Sequence, residues 1–547
     1  MNSPLQWFGS GAPAAVQRCP VTRLAFVLTA LLLTALLGMG CSGRPPQQVE
    51  RPVSHGFAEP ESTPLGQIFG PLAQRHPNQS GVLLLDLSEE SLLWRGALIE
   101  EAERAIDAQY FLWGQDNIGI LAASHLLAAA QRGVRVRILV DDFYLESSTR
   151  HLELLDAHPK VEIRLYNPFL TRTSSALLRS FEILGDFKRL NRRMHNKVML
   201  VDGAVAIVGG RNVADPYFDM HDAFNYRDRD VLAIGPVVAA IGASFDAYWN
   251  SPWSVPVRAV AASRAAVPAE ERDALYHRLL AYRDDPQNLP ARYAQMLNER
   301  REELNRLPSR LTWARAEVIY DRPGKNDDPD RLDAFGRTGA RLTELALATE
   351  RELIAETPYL VFLTGTFEVV ASLRERGVRI SVLTNSLAST DMVIAFNAYA
   401  RQRERILALG VELYEMRPDA ASRRDVIRRF DRLQDDSKLT LHAKTVVFDR
   451  THVLIGTFNM DPRSTHLNTE IALLVHSPAF AEQVLAALER DFAAENAWRL
   501  MLDDQGAVMW YSAERDAFVH HEGEPNVGFW RSLKSFLLSP LSLESII

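Results

Sequence analysis

One pattern occurs twice in this chain, and it constrains the fold more than anything else in the sequence. His195-Asn196-Lys197, Asp202 and Gly209-Gly210-Arg211-Asn212 recur as His442-Ala443-Lys444, Asp449 and Gly456-Thr457-Phe458-Asn459. Both copies read H-x-K-x4-D-x6-G-[GT]-x-N. A single H-x-K-x4-D is weak evidence, but two copies with the same Gly-Asn extension at equivalent places are not coincidence. Gly133 precedes the first histidine by about 62 positions and Gly377 the second by about 65. A duplicated unit folds as two similar lobes, and a pseudo-twofold axis brings equivalent motifs to one seam.

The flanking patterns say what each lobe is. In the first half, helical residues 97–105 lead into the apolar run 106–112, a second helical pattern 119–131, and the run 133–140. The second half repeats this as 342–352, 353–360, 369–376 and 377–384. Helical periodicity alternating with short β-rich runs predicts an α/β fold with largely buried strands. Gly133 and Gly377 fall where helix C-terminal caps are needed. The expected fold is therefore two tandem α/β lobes, each a mixed sheet flanked by helices, related by pseudo-twofold symmetry. The active site belongs at the lobe interface.

The ends differ in kind. Arg18 and Arg23 precede the apolar residues 24–37, followed by Gly38-Met39-Gly40-Cys41-Ser42. A basic region, an apolar core and a small-residue site read as a signal of the bacterial lipoprotein type, with Cys41 the lipidation site. An uncleaved anchor is the alternative. Both readings place the body in the bacterial cell envelope, tethered to a membrane and outside the cytoplasm. Expected divisions are a signal or anchor at 1–41, a flexible tether at 42–80 and a first lobe at 81–254. A helical connector follows at 255–312, then a second lobe at 313–493 and an extension at 494–547. In that extension, residues 529–538 are apolar with Arg531 and Lys534, suiting either a membrane-surface helix or a buried terminal one.

A phosphodiester presents a negative phosphate and a poor alkoxide leaving group, and the duplicated residues answer both. Residues 197–201 and 444–448 are strand-like, so each His and the Lys two positions on share a face. Lys197 and Lys444, with Asn212 and Asn459 as substrate-binding amides, can neutralise and orient phosphoryl oxygens. One imidazole can attack phosphorus to form a phosphohistidine, while the other moves the proton of the leaving and incoming alcohols. Asp202 and Asp449 complete the motif and are grouped with the catalytic His195, Lys197, His442 and Lys444, although each also opens a tight turn. Asp230 and Glu470, opening the strand-like runs after each Asn, are the candidates for orienting the histidines. No metal-ligand cluster is evident, and two lysines supply the positive charge, so neither metal nor cofactor is expected. The only cysteines are Cys19 and Cys41, which leaves the body without thiolate ligands. A net charge of −8 and the lack of a basic, aromatic track argue against a nucleic-acid partner.

These residues resemble the phospholipase D superfamily. Asn191-Arg192-Arg193-Met194-His195-Asn196-Lys197, Val208-Gly209-Gly210-Arg211-Asn212, Leu383-Thr384-Asn385-Ser386-Leu387-Ala388 and Asn459-Met460-Asp461-Pro462-Arg463-Ser464 are similar to the bacterial cardiolipin synthase C group. The resemblance covers nearly the whole body from about residue 81. It implies a phosphohistidine mechanism with His195 as nucleophile and His442 as acid and base. It also implies phospholipid partners: a phosphatidylglycerol or phosphatidylethanolamine donor and a phosphatidylglycerol acceptor, met at a membrane surface. The product would be cardiolipin. Water as acceptor would make the chain a phospholipase D hydrolase releasing phosphatidic acid, and a nuclease is a more distant alternative. Two departures stand out. Phe396 occupies a region where the group commonly has a histidine, and Thr457 replaces the usual serine.

Overall fold

A computed structural model describes residues 49–145, 149–169, 185–260, 267–288, 291–325, 336–423, 437–514 and 517–541. The first half supplies β1 (Ser80–Leu85), β2 (Ala105–Tyr110), β3 (Arg135–Asp141), β4 (Val161–Tyr166), β5 (Val198–Val201), β6 (Val205–Gly209), β7 (Phe224–Arg227), β8 (Asp230–Ile234) and β9 (Ser254–Pro256). The second supplies β10 (Thr312–Tyr320), β11 (Glu352–Glu356), β12 (Arg379–Asn385), β13 (Glu412–Met416), β14 (Lys438–Leu441), β15 (Thr445–Phe448), β16 (His452–Gly456), β17 (Ile471–His476) and β18 (Ala497–Leu502). A final hairpin adds β19 (Val508–Glu514) and β20 (Ala517–His521).

Pairing orders the first lobe β9-β4-β3-β2-β5-β6-β8-β1. The second runs β10-β17-β16-β15-β11-β12-β13-β18, so each strand has a counterpart in mirrored sequence. The lobes join edge to edge through the antiparallel pair β1–β10, making one continuous sheet. In each lobe three parallel strands (β2-β3-β4 and β11-β12-β13) lie beside an antiparallel set, which is the mixed sheet expected of the duplication.

Local chemistry sets the crossovers. The helix Asn117–Gln131 starts where the Asp116 side chain accepts the Gly119 N–H, and the chain turns out of it at Gly133 with φ +101°. Gly377 has φ +81° after the matching helix Thr364–Glu375. Both positions need the left-handed backbone that glycine adopts without cost.

Alternation along β5 sends Met199 and Val201 into the core under the helix Asn117–Gln131. Val198 and Leu200 face the other way, toward Ile241 and Phe245 of the helix Pro236–Trp249. That second core does not stop at the seam. It runs from Val231 and Ala233 into Leu473, Val475 and Phe480 of the other lobe. Burying an aliphatic or phenyl side chain contributes about 1.5–3 kcal/mol, so a shared core of this extent fixes the lobes against each other. They cannot hinge freely as domains joined by a wet interface can. The connector helix Ala269–Asp284 covers the first lobe through Leu275, Tyr276 and Leu279. No helix among the described residues is long and apolar enough to cross a membrane.

Candidate active site

Both motif histidines lie at the seam, each at the entrance to a sheet strand. A second ribbon crosses there: β7 pairs in parallel with β14, and Met194 bridges Thr469 in the same sense. The His442 and Ala443 N–H groups donate to the Arg227 carbonyl at 2.8 and 2.9 Å. The His195 N–H donates to the Thr469 carbonyl at 2.9 Å. Each histidine is thereby stitched to the segment of the opposite lobe that carries its carboxylate.

His195 Nδ1 lies 2.9 Å from Glu470 Oε2 and 3.0 Å from the Thr457 carbonyl. His442 Nδ1 lies 2.6 Å from Asp228 Oδ2. With Nδ1–H donated to a carboxylate, each ring keeps Nε2 for chemistry. Lys197 Nζ donates to the His195 carbonyl at 2.7 Å, and Lys444 Nζ donates to the His442 carbonyl, so each ammonium is fastened beside its histidine. Phe111 stands edge-on to His195 at 5.0 Å; Tyr217 and Tyr226 flank His442 at 5.1 and 4.9 Å. All four motif side chains are buried.

Burial governs the electrostatics. It pushes His195 down to about 4 against the pull of Glu470, with Lys197 adding to the fall. Burial, then Lys444 and Lys197, hold His442 well below the usual histidine range. Lys197 is pushed down to about 7 by burial and by Lys444, and Lys444 to about 8 by burial. Lys444 is thus near enough to contribute to the fall of Lys197. An anion arriving beside them restores both charges, which is what a phosphate-binding site needs. Glu470 is held below its ordinary value: burial works to raise it, but His195 and the Thr457 hydroxyl outweigh that. Asp228 goes the other way, raised by burial beyond what Lys444 and Arg211 restore.

Three sequence expectations need correction. Asp230 does not orient a histidine. It accepts from Ser91 Oγ at 2.6 Å and lies 3.0 and 3.3 Å from the Arg95 and Arg211 guanidinium nitrogens, a buried clamp between strand and helix. Strand register explains the slip. Gly209 faces Asp230 across β6–β8, while Gly456 faces Ala472 across β16–β17. Glu470 therefore corresponds to Asp228, not to Asp230. Counting back from the prolines that open the next helices would have found it, since Asp228 and Glu470 stand eight positions before Pro236 and Pro478.

Asp202 and Asp449 are not at the site. Each lies at the far end of a four-residue strand from its lysine, in the left-handed region at φ +52° and +49°. The Asp202 carboxylate accepts the N–H groups of Glu103, Arg104 and Ala105 at 3.0, 2.8 and 2.9 Å. Asp449 does the same for Glu350, Arg351 and Glu352 at 2.9, 2.7 and 3.0 Å. They fasten the turn to the start of β2 and of β11.

Asn212 accepts the Leu112 N–H at 3.0 Å and donates to the Tyr217 hydroxyl at 2.8 Å. Asn459 is buried, and its Oδ1 meets no hydrogen-bond donor among the described residues. Sequence reasoning missed Thr457 and Ser464, whose hydroxyls donate to the two oxygens of Glu470. Phe396 is packed in the second lobe's core against Tyr399. Cys41 lies outside the described residues. Among the described residues, no group of three or more His, Cys, Asp or Glu side chains is disposed to hold a metal ion.

Mirrored lobes, with a His-Lys pair from each and carboxylates crossing between them, define a two-lobed enzyme of the phospholipase D type. A family profile described as "Cardiolipin synthase, PLD-like domain" matches residues 97–249 and again 342–492, and the chain belongs to that family. It is 36% identical to cardiolipin synthase C of Escherichia coli strain K12 over 488 residues, 87% of this chain and 98% of that one. It is 24% identical to cardiolipin synthase A of Pectobacterium carotovorum, spanning 73% of this chain and 66% of the relative. The fold is similar to the crystal structure of phosphatidylserine synthase from Haemophilus influenzae, with a TM-score of 0.53 at 13% identity, covering 86% and 97% of the two chains.

Proposed function

We propose that this chain is a phosphatidyltransferase that forms cardiolipin from phosphatidylglycerol and a second phospholipid in two displacements at one seam. The observation that carries the reading is the crossed pair His195–Glu470 and His442–Asp228, closing on two lysines whose charges an anion would restore. The donor's phosphate anion favours the protonated form of His442; His195 Nε2 then attacks the donor phosphorus, and the departing alcohol takes its proton from the His442 imidazolium. The phosphoimidazole carries a positive charge while it lasts, which suits the histidine whose partner, Glu470, is held firmly ionised. The hydroxyl of a phosphatidylglycerol then gives its proton back to His442 and attacks phosphorus, freeing His195. Lys197 and Lys444 neutralise the phosphoryl oxygens in both steps, and the Asn459 amide N–H groups can donate to them. The donor's glycerol or ethanolamine is the other product.

Location follows from the same reading. The signal-like residues 1–41, and Cys41 as acyl acceptor, would hold the body to a membrane of the cell envelope. Mass analysis of the mature N-terminus tests this: acylated Cys41 supports it, and an intact residue 1 favours an uncleaved anchor.

The deciding experiment offers purified enzyme phosphatidylglycerol in mixed micelles, with and without phosphatidylethanolamine, and identifies products by mass spectrometry. Cardiolipin is expected, lost in His442→Ala. Stimulation by phosphatidylethanolamine with release of ethanolamine would name that lipid as donor. Phosphatidic acid as the sole product would overturn the transfer reading and make water the acceptor.

A further inference from the structure

The helix Phe529–Leu538 is built the wrong way round for a protein surface. At 3.6 residues per turn, Phe536, Phe529, Leu533, Leu537 and Trp530 fall in one arc of about 120°. A surface helix ordinarily turns such an arc to the core. Here Phe529, Trp530, Phe536 and Leu537 are 72, 78, 75 and 64% exposed, and no residue of the helix is buried. Its opposite side does the docking, with Leu538 packed against the second lobe's core. Arg531 donates to the Leu387 and Thr390 carbonyls, and the Asn397 amide donates to the Ser535 carbonyl at 2.8 Å. Ten residues do not hold a helix in water unaided; these anchors hold it with its apolar face outward.

Its place matters as much as its face. Thr390 adjoins Asp391, whose carboxylate accepts the Tyr226 and Tyr359 hydroxyls, each at 2.9 Å. The Tyr226 ring in turn flanks His442. The first turn of the helix is therefore pinned to the lip of the active site. On the first lobe the lip is also aromatic. Phe143 and Tyr144 are exposed, and Tyr144 stands 5.3 Å from Phe111, the ring beside His195. The chain also enters from this end. Arg51 bonds the Ser254 carbonyl, which lies opposite Tyr166 at the end of β4, whereas the Phe57 carbonyl has reached Gly203 at the opposite end.

We propose that the outward face of this helix, with Phe143 and Tyr144 across the cleft, docks on a phospholipid bilayer and holds the cleft mouth against the headgroups. The partner is a lipid surface, and the proposal rests on the phospholipid substrate already inferred. Trp and Phe beside a lysine, here Lys534, suit the interface between headgroups and acyl chains. An apolar patch of this kind is rarely left to water. From residue 49 onward the expected tether is instead part of the body, with the helix Pro64–Arg75 burying Leu65 and Phe69 in the first lobe's core. The signal-like segment before it would supply attachment; the helix Phe529–Leu538 supplies orientation, which decides whether a headgroup can reach His195.

The test uses the full chain in proteoliposomes and has two independent readouts. With brominated phospholipids, wild type should lose a fluorescence component that Trp530→Phe lacks. Turnover of vesicle-borne phospholipid should fall about tenfold in Trp530→Ser/Phe536→Ser. Turnover of a monomeric short-chain phosphatidylglycerol should stay within about twofold in the same variant, since none of these residues belongs to the site. An unquenched Trp530, unchanged vesicle turnover, or an equal fall on both substrates overturns the proposal. So does a wild-type dimer that the double variant converts to a monomer with full vesicle turnover, because the patch would then serve a second copy. Quenching of Trp530 in a protein that turns over no phospholipid would leave the docking standing and remove the functional reading.

Discussion

The two halves of the seam look alike in sequence and are held differently. Glu470 has two hydroxyl donors of its own, Thr457 and Ser464, besides His195. Asp228 has the Arg229 N–H and, among the described residues, no such hydroxyls, and a glycine stands where Thr457 does in the other lobe. A side chain there would not fit: a Cβ on Gly210 would come within 2.0 Å of Asp228 Oδ1. One half carries a longer carboxylate stabilised by hydroxyls, the other a shorter one pressed against bare backbone. Duplication supplies two equal histidines, and their carboxylate surroundings make them unequal, which is how paired groups divide two roles.

The largest effect should separate those roles. His195→Ala is expected to lose at least about 10⁴-fold in kcat, the order seen when a nucleophile is removed. His442→Ala should lose about 10²–10⁴-fold on natural lipid, as an acid-base group does. On phosphatidyl-p-nitrophenol, whose leaving group needs no proton, His195 of the His442→Ala variant should still attack phosphorus, release p-nitrophenolate and accumulate as a covalent phosphatidyl enzyme. An adduct on His442 in the His195→Ala variant would reverse the assignment.

The carboxylates come next. Asp228→Asn and Glu470→Gln should each cost about 10²–10³-fold, because an amide can stabilise the wrong tautomer. Gly210→Ala should imitate Asp228→Asn by displacing that carboxylate, while Thr457→Ala, which removes one of several donors, should cost no more than about tenfold. Equal effects at 210 and 457, measured as kcat/KM, would erase the distinction between the halves.

Sequence reasoning reached the two lobes because duplication is visible as equal spacing between glycine and histidine. It singled out His195, Lys197, His442 and Lys444 because the motif is duplicated, and the structure buries all four beside the seam, just ahead of the strands Val198–Val201 and Thr445–Phe448. It failed at Asp228 because the loops after Asn212 and Asn459 differ in length, so the equivalent position had to be counted from the strand register. It also grouped Asp202 and Asp449 with the chemistry because the motif contains them, although their work is done at the opposite end of the strand. The crossing of carboxylates between lobes was not legible, since nothing local in a segment records which lobe it lies against. Nor was the outward face of residues 529–538: an apolar arc looks the same whether it meets a core or a membrane.

The lysines offer a comparison between the empty and the loaded site. Burial, with Lys444 beside it, pushes Lys197 down to about 7, and burial pushes Lys444 down to about 8. Raising the pH through that range removes their protons, so kcat/KM, which reports the free enzyme, should fall on the alkaline side with apparent values belonging to the pair. A bound phosphate favours both ammoniums, so the corresponding fall in kcat should lie at higher pH. Coincident limbs for kcat and kcat/KM would mean that substrate does not recharge the lysines.

The smallest effect on activity should come from the motif aspartates, and there the comparison between lobes changes from chemistry to stability. Asp202 is fully buried, accepts three N–H groups at the start of β2, and holds a positive φ that alanine tolerates poorly. Asp202→Ala should therefore cost about 2–4 kcal/mol of stability, with kcat/KM at 25 °C unchanged within about twofold. Asp449 makes the equivalent bonds nearer solvent, so its replacement should cost less. Despite partial burial, which works to raise it, three backbone amides hold Asp449 below its ordinary value. Its contribution is thus complete above the unfolded carboxyl value and is lost as pH falls through the folded one. Thermal unfolding of both variants at neutral and acidic pH checks the ordering: the gap between Asp449→Ala and wild type should narrow in acid. A variant with unchanged stability and lost turnover would return these aspartates to the catalytic machinery, and would require the strand between lysine and aspartate to lie otherwise than it does.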